Sequence, residues 1–231
     1  MNTQNKRISQ VKSHFDGEAA IFDARIVNVV PHYMEMLDAL VTALPFSPSK
    51  KIRVADLGCG TGTVSFLVKS RFPHAHITCV DMAENMLGLA ARKMKRFNNV
   101  KFELGELTSY RFKGRYDAVV SSLALHHLEG RKKTALFKRI GEALAGGGVF
   151  ANADIIVSAD ASVQKKYLGK WEEFILKSYA KRHVRQNHEM YLREDRPAAL
   201  SDELRNLKAA GFRNVELFWK YYNFAVYCAE K

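Results

Sequence analysis

Asp56, Gly58, Gly60 and Gly62 stand two residues apart in the run from Ile52 to Val64, Ile-Arg-Val-Ala-Asp-Leu-Gly-Cys-Gly-Thr-Gly-Thr-Val. A carboxylate beside a glycine bend repels a pyrophosphate and attracts an ammonium or a sulfonium. The glycines carry no Cβ, so the backbone there reaches positive φ and a ligand lies almost against the peptide planes. An apolar, β-branched run precedes Asp56, and Val64, Leu67 and Val68 follow at helical spacing. The pattern is strand, tight turn, helix, with the free N–H groups of the helix start facing the same space. A dinucleotide fingerprint would need a small residue at the sixth position from Gly58, where Thr63 stands.

This D-x-G-x-G-x-G spacing resembles the first motif of the class I S-adenosylmethionine-dependent methyltransferases. The resemblance implies that Asp56 and the turn Gly58, Cys59, Gly60 and Gly62 hold the methionine part of S-adenosyl-L-methionine, with S-adenosyl-L-homocysteine as product. Asp81 closes the next strand 19 residues after Gly62, where a carboxylate accepts hydrogen bonds from both ribose hydroxyls. Glu106 follows the third strand, at the position where this family has an acid or amide near the adenine amino group. Met82 and Leu107 would wall that ring. An N-terminal segment closes over the cofactor in many family members, so Phe22, Arg25 and Tyr33 are lid residues by the same resemblance.

The fourth strand runs into Ser121-Ser122-Leu123-Ala124-Leu125-His126-His127-Leu128, which resembles the family's post-strand motif. Ser122 joins the cofactor set, and the histidines fall near the transferred methyl group. An acceptor hydroxyl could lose its proton to His126, His127 or Asp154, whereas a neutral amine or thiolate needs no base in the transfer step. Adjacent histidines also invite a metal. No H-x-x-x-H spacing or cysteine pair accompanies them, so no metal is expected.

Strand and helix alternate from Ile52 to Ile155, which predicts an α/β, doubly wound, mostly parallel seven-stranded sheet with helices on both faces and the ligand at the strands' carboxyl ends. The runs Val215–Phe218 and Tyr222–Cys228 predict an antiparallel C-terminal hairpin. Between the fifth strand and the last helix lies a helical cap insertion, read as one long basic helix from Ala159 to about Arg185 and then a polar stretch. The expected organisation is a flexible tail over residues 1–14, a helical lid over 15–50, a cofactor-binding core over 51–157, the substrate cap over 158–200, and a C-terminal helix and hairpin over 201–231. Insertions at this sheet edge set substrate identity, which makes Tyr167, Trp171, Tyr191 and Arg193 an aromatic and cationic substrate wall.

A chain of 231 residues with 47% apolar content is long enough for a real core. It has no membrane-length apolar run and no signal-peptide pattern, which predicts a cytoplasmic protein without membrane contact. Its three cysteines are widely spaced, and the two inside predicted strand or turn segments read as small buried hydrophobes. The formal charge of +12 admits RNA as a partner, but no RNA-binding signature accompanies it. A small-molecule acceptor is the first expectation, an RNA the second, and a homodimer is compatible with the cap.

A closer resemblance spans both ends of the chain. Phe22-Asp23-Ala24-Arg25-Ile26 through Val30-Pro31-His32-Tyr33, together with Gly211-Phe212, Trp219 and Asn223-Phe224, look like the carboxy-S-adenosylmethionine synthases. That likeness implies the methyltransferase fold, a role in tRNA wobble-uridine modification, and an arginine for the added carboxylate, with Arg185, Arg193 and Arg196 as alternatives. The turn departs from theirs, having Gly-Cys-Gly-Thr-Gly in place of Gly-Cys-Ser-Leu-Gly.

Overall fold

The computed structural model describes residues 3–231, with side chains from residue 7 onward. Strands β1 (Arg53–Leu57), β2 (His76–Asp81), β3 (Val100–Leu104), β4 (Tyr116–Ser122) and β5 (Leu144–Ile155) are parallel to one another. The C-terminal pair, β6 (Arg213–Tyr221) and β7 (Phe224–Glu230), is the expected antiparallel hairpin, with β7 also antiparallel to β5. The seven strands are ordered β3-β2-β1-β4-β5-β7-β6. Chain direction across the sheet reverses between β1 and β4, and a crevice opens at the carboxyl ends of strands at such a point.

Both faces are covered, so the central strands are apolar on both sides. Val54 and Val120 pack against α3 (Tyr33–Thr42) and α4 (Thr63–Arg71) in one core cluster. Ala55, Leu57 and Val119 pack against α6 (Gly130–Ala143) and α9 (Leu200–Ala209) in the other. Adjacent residues of one strand point to opposite faces, which is why Val54 and Ala55 belong to different clusters. Helix α5 (Glu84–Lys93) follows β2 and buries Leu87 and Ala90.

Two expectations about the ends of the fold are corrected. Residues 1–14, expected as a flexible tail, are helical over the described part: α1 runs Thr3–Glu18, and it buries Arg7 and Val11. A short 3-10 turn, Ala19–Ile21, and α2 (Phe22–Ile26) continue the lid. The single cap helix expected over 159–185 is two helices, α7 (Ala161–Ile175) and α8 (Lys181–Glu194). Asp160 starts the first by accepting from the amides of Ser162 and Val163 at 2.8 and 2.9 Å, a side-chain cap on otherwise orphaned donors. Ala180 ends the turn between them in extended geometry, φ −69° and ψ 157°, so α8 leaves in a new direction and returns its C-terminus to the sheet edge.

Candidate active site

The glycine turn works because of two close approaches. Gly58 has φ +66°, and a Cβ there would stand 2.4 Å from that of Ala124. Gly60 has φ +53° and nothing within 4 Å of the same position, so its missing side chain is open cavity. The cavity is lined by Asp56, Gly58, Cys59, Gly60, Asp81, Met82, Glu106, Leu107, Ser122 and Tyr33, with Ile8, Val11, Phe15 and Phe22 of the lid above. The space between these residues, its open mouth included, is about 970 Å³. Gly62 stands outside the lining, in the left-handed cap position of α4 with φ +81°.

The electrostatics of this cavity favour a cation. Asp56, Asp81 and Glu106 face it, and among the described residues no lysine or arginine lines it. Asp56 is buried; its Oδ2 accepts from Ser65 Oγ at 2.6 Å and its Oδ1 has no partner. Burial pushes its pKa up to about 7, with the Ser65 hydrogen bond opposing. Asp81 accepts from the amides of Gly60 at 2.8 Å and Ala83 at 2.9 Å. Burial raises its pKa against those hydrogen bonds. Thr108 Oγ1 donates to Glu106, and Ser122 Oγ is buried without a partner.

A second cavity adjoins the first and shares Phe15, Phe22, Leu123 and His127 with it. Trp171, Tyr191, Phe224, Ile155, Val29 and Val30 give it apolar walls, and the space between them, open mouth included, is about 780 Å³. Trp171 Nε1 donates to the Val29 carbonyl at 2.7 Å, and its ring meets that of Tyr191 edge-on at 5.7 Å. Arg25, expected at the cofactor, instead lines this second cavity; it pairs with Glu18 and donates to Asn187 Oδ1 at 2.7 Å. Tyr167 and Arg193 are outside both cavities. The Tyr167 hydroxyl accepts from Lys220 Nζ at 2.8 Å beside the hairpin, and Arg193 pairs with Glu194 at 2.6 Å on a separate groove.

The two histidines sit in the 3-10 turn Leu125–His127, where the cavities meet. His126 is buried: its Nδ1 is hydrogen-bonded to Asp154 Oδ1, its amide donates to Asp154 Oδ2 at 3.1 Å, and its Nε2 lies 3.6 Å from Asp195 Oδ1. Burial lowers the His126 pKa, but Asp154 and Asp195 outweigh it and hold it above the ordinary value. His127 Nδ1 lies 3.0 Å from Asp195 Oδ1, and burial together with His126 lowers its pKa. Asp154 lines neither cavity; it fixes His126 from behind and touches Asn152, which also binds the Tyr227 hydroxyl at 2.8 Å. Asp195 is the residue that sequence reasoning missed. It follows α8 by one position, far along the chain from the histidines, and no spacing rule links them.

Comparison with known proteins agrees with this geometry. A family profile described as a methyltransferase domain matches residues 54–148. The carboxy-S-adenosyl-L-methionine synthase of Helicobacter pylori (strain HPAG1) is 30% identical over 231 aligned positions, covering 94% of this chain and 93% of that one. The same-named protein of a Nitratiruptor species is 29% identical, over 94% and 92%. This chain belongs to that family, within the class I S-adenosylmethionine-dependent methyltransferases. Among solved structures, the DhpI-SAM-HEP complex matches with a TM-score of 0.67 at 19% identity, over 97% of each chain, a likeness of fold.

As a member of that class the chain is a transferase whose cofactor is S-adenosylmethionine, and the first cavity fits it. The unpartnered Oδ1 of Asp56 suits the cofactor's ammonium, and the carboxylate-lined, cation-free wall suits the sulfonium. Asp81 would hold the ribose hydroxyls, Glu106 the adenine amino group, and Met82 and Leu107 the faces of the ring. Among the described residues, no helix is long and apolar enough to cross a membrane.

Proposed function

We propose that this transferase moves the methyl group of S-adenosylmethionine to an oxygen of a small, largely apolar acceptor bound in the second cavity. The observation that carries the reading is the shared wall: Phe15, Phe22, Leu123 and His127 border both cavities, so donor and acceptor would meet there. The sulfonium is already a strong electrophile, and the chain's main work is to hold nucleophile, methyl carbon and departing sulfur in line. The apolar lid, with Val11, Phe15 and Phe22, excludes water from that line. A hydroxyl acceptor would lose its proton at the seam formed by His126, His127 and Asp195. Trp171 and Tyr191 favour a planar ring as the acceptor's body.

The family names favour a second reading, a carboxylated cofactor as product. A cofactor carboxylate needs a cation within reach, and the arginines expected for it are placed otherwise: Arg185, Arg193 and Arg196 line neither cavity. Arg25, which does line the second, is engaged by Glu18 and Asn187. Among the described residues no lysine or arginine lines the first cavity, and Lys51, Lys69 and Arg96 border a groove at the amino-terminal ends of the strands, away from both cavities. The test is incubation with methyl-labelled cofactor and a panel of phenols and hydroxylated heteroaromatics, followed by mass spectrometry. The proposal expects S-adenosylhomocysteine and an O-methylated product. A copurifying cofactor heavier by one carboxyl group, with no methylated product, would replace it by the second reading.

A further inference from the structure

We propose that His126, His127 and Asp195 form a binding site for one divalent first-row transition metal ion at the seam between the two cavities. One nitrogen from each histidine and one Asp195 oxygen lie within 4.8 Å of one another. His127 Nδ1 lies 3.0 Å and His126 Nε2 3.6 Å from the same Asp195 oxygen, Oδ1. Ligand atoms roughly 2.0–2.1 Å from a tetrahedral ion stand about 3.4 Å apart, so small side-chain adjustments close the set.

Three further features suit an ion. Asp154 binds Nδ1 of His126, which fixes the ring and leaves Nε2 toward Asp195; a carboxylate behind a metal-binding imidazole has this arrangement and raises its basicity. Both ring nitrogens of His127 are buried; Nε2 has no partner, and Nδ1 has only the Asp195 oxygen 3.0 Å away. A buried imidazole nitrogen gains a full partner when it coordinates an ion, and Nδ1 is the one turned toward Asp195. The two segments that supply the ligands are also tied together. Arg7 Nη1 donates to the carbonyls of His127 and Glu194, both at 2.7 Å, and the Arg196 amide donates to the His126 carbonyl at 2.6 Å.

Two imidazoles and one carboxylate are the donor set of zinc and its first-row neighbours, and three protein ligands leave a position open. All three residues line the second cavity, so the open position is available to an oxygen there. That use rests on the acceptor reading above, whereas the site does not. An ion held there would lower the pKa of an acceptor hydroxyl bound to it, and the proton would pass to bulk water before the lid closes. The acceptor oxygen then forms the bond to the methyl carbon as the carbon–sulfur bond breaks, and the thioether keeps the electron pair.

The experiment is calorimetric titration of the chelator-stripped full chain with zinc chloride. We expect one ion per chain, with Asp195→Asn and His126→Gln each at least tenfold weaker, Asp154→Asn weaker by about 10–100-fold, and His74→Ala, on the opposite sheet edge, unchanged. Should a variant melt early, cobalt(II) added to the wild-type protein decides: a tetrahedral absorption band is expected, and a spectrum of hydrated cobalt would overturn the site. Absence of saturable zinc binding, or equal affinity in well-folded Asp195→Asn and His126→Gln, would also overturn it. Zinc binding without methylation of any hydroxyl would remove the acceptor reading alone. Hydroxyl methylation with no zinc binding would remove the metal site alone.

Discussion

Asp56 gives one carboxylate oxygen to Ser65 Oγ at 2.6 Å and leaves the other buried at the first cavity with no partner. With the pKa pushed up to about 7 by burial, the empty site holds a proton through mildly acidic pH. An ammonium bound there favours the carboxylate, so below that pKa binding must expel the proton. S-adenosylhomocysteine affinity therefore rises about tenfold per pH unit on the acidic side and levels off above about 7. Because the folded pKa lies above the unfolded one, the empty protein also loses stability as pH rises through that value, and the bound ligand offsets the loss. Calorimetry between pH 5 and 8 checks this, with Asp56→Asn binding weakly and without slope. A flat wild-type profile would mean that Asp56 does not meet the ammonium.

Asp81 holds the glycine turn as well as facing the ligand. Its carboxylate accepts the Gly60 and Ala83 amides, and hydrogen bonds to a charged group contribute about 1.5–3 kcal/mol each. Asp81→Ala should weaken S-adenosylhomocysteine by about 100-fold or more, since two such bonds and the ribose contact are lost. Asp81→Asn, which keeps one acceptor oxygen, should fall between. Wild-type affinity in the alanine variant would remove Asp81 from the ribose.

These two acids were legible in the sequence because the pattern that marks them is local. A β-branched run, an acid, glycines and a helical period occupy one short stretch, and the fold places strand ends of this kind at one edge; Met82, Glu106, Leu107 and Ser122 follow by the same rule. The rest depends on contacts between distant segments. Arg7 stands beside Lys6 in a polar stretch with nothing to single it out, and only the return of α8 to the sheet edge supplies the Glu194 carbonyl it binds. Asp195 reaches the histidines because the cap helix breaks near Ala180, a break that no glycine or proline announces. The aromatic wall was half legible: helical spacing placed Trp171 on an inward stripe but could not tell it from Tyr167, one turn earlier, which the hairpin draws outward.

Arg7 is the clasp of the lid. It joins α1 to the His127 and Glu194 carbonyls and lies 3.5 Å from Glu129, while Val11 and Phe15 of the same helix roof the first cavity. Arg7→Ala leaves two carbonyls without their donor, at about 1–3 kcal/mol each if they stay buried. The lid should open more readily, and stopped-flow release of S-adenosylhomocysteine should quicken by about an order of magnitude. Unchanged release would show that α1 does not gate the cofactor.

Trp171 stands in the wall of the second cavity, and Tyr167, one turn earlier on the same helix, stands outside both cavities. Trp171 lines only the second cavity and donates to the Val29 carbonyl, so Trp171→Phe should raise the KM for a hydroxyl acceptor while leaving S-adenosylhomocysteine affinity within about twofold; the lost hydrogen bond costs about 1 kcal/mol of stability. Tyr167→Phe removes a hydrogen bond from Lys220 beside the hairpin, away from either cavity, and should leave KM, cofactor affinity and melting temperature near wild type. Steady-state kinetics with calorimetry on both variants decides the matter. A Trp171→Phe protein that loses cofactor and acceptor affinity together would merge the two cavities into one site, and a Tyr167→Phe protein with raised KM would move the acceptor out toward the hairpin.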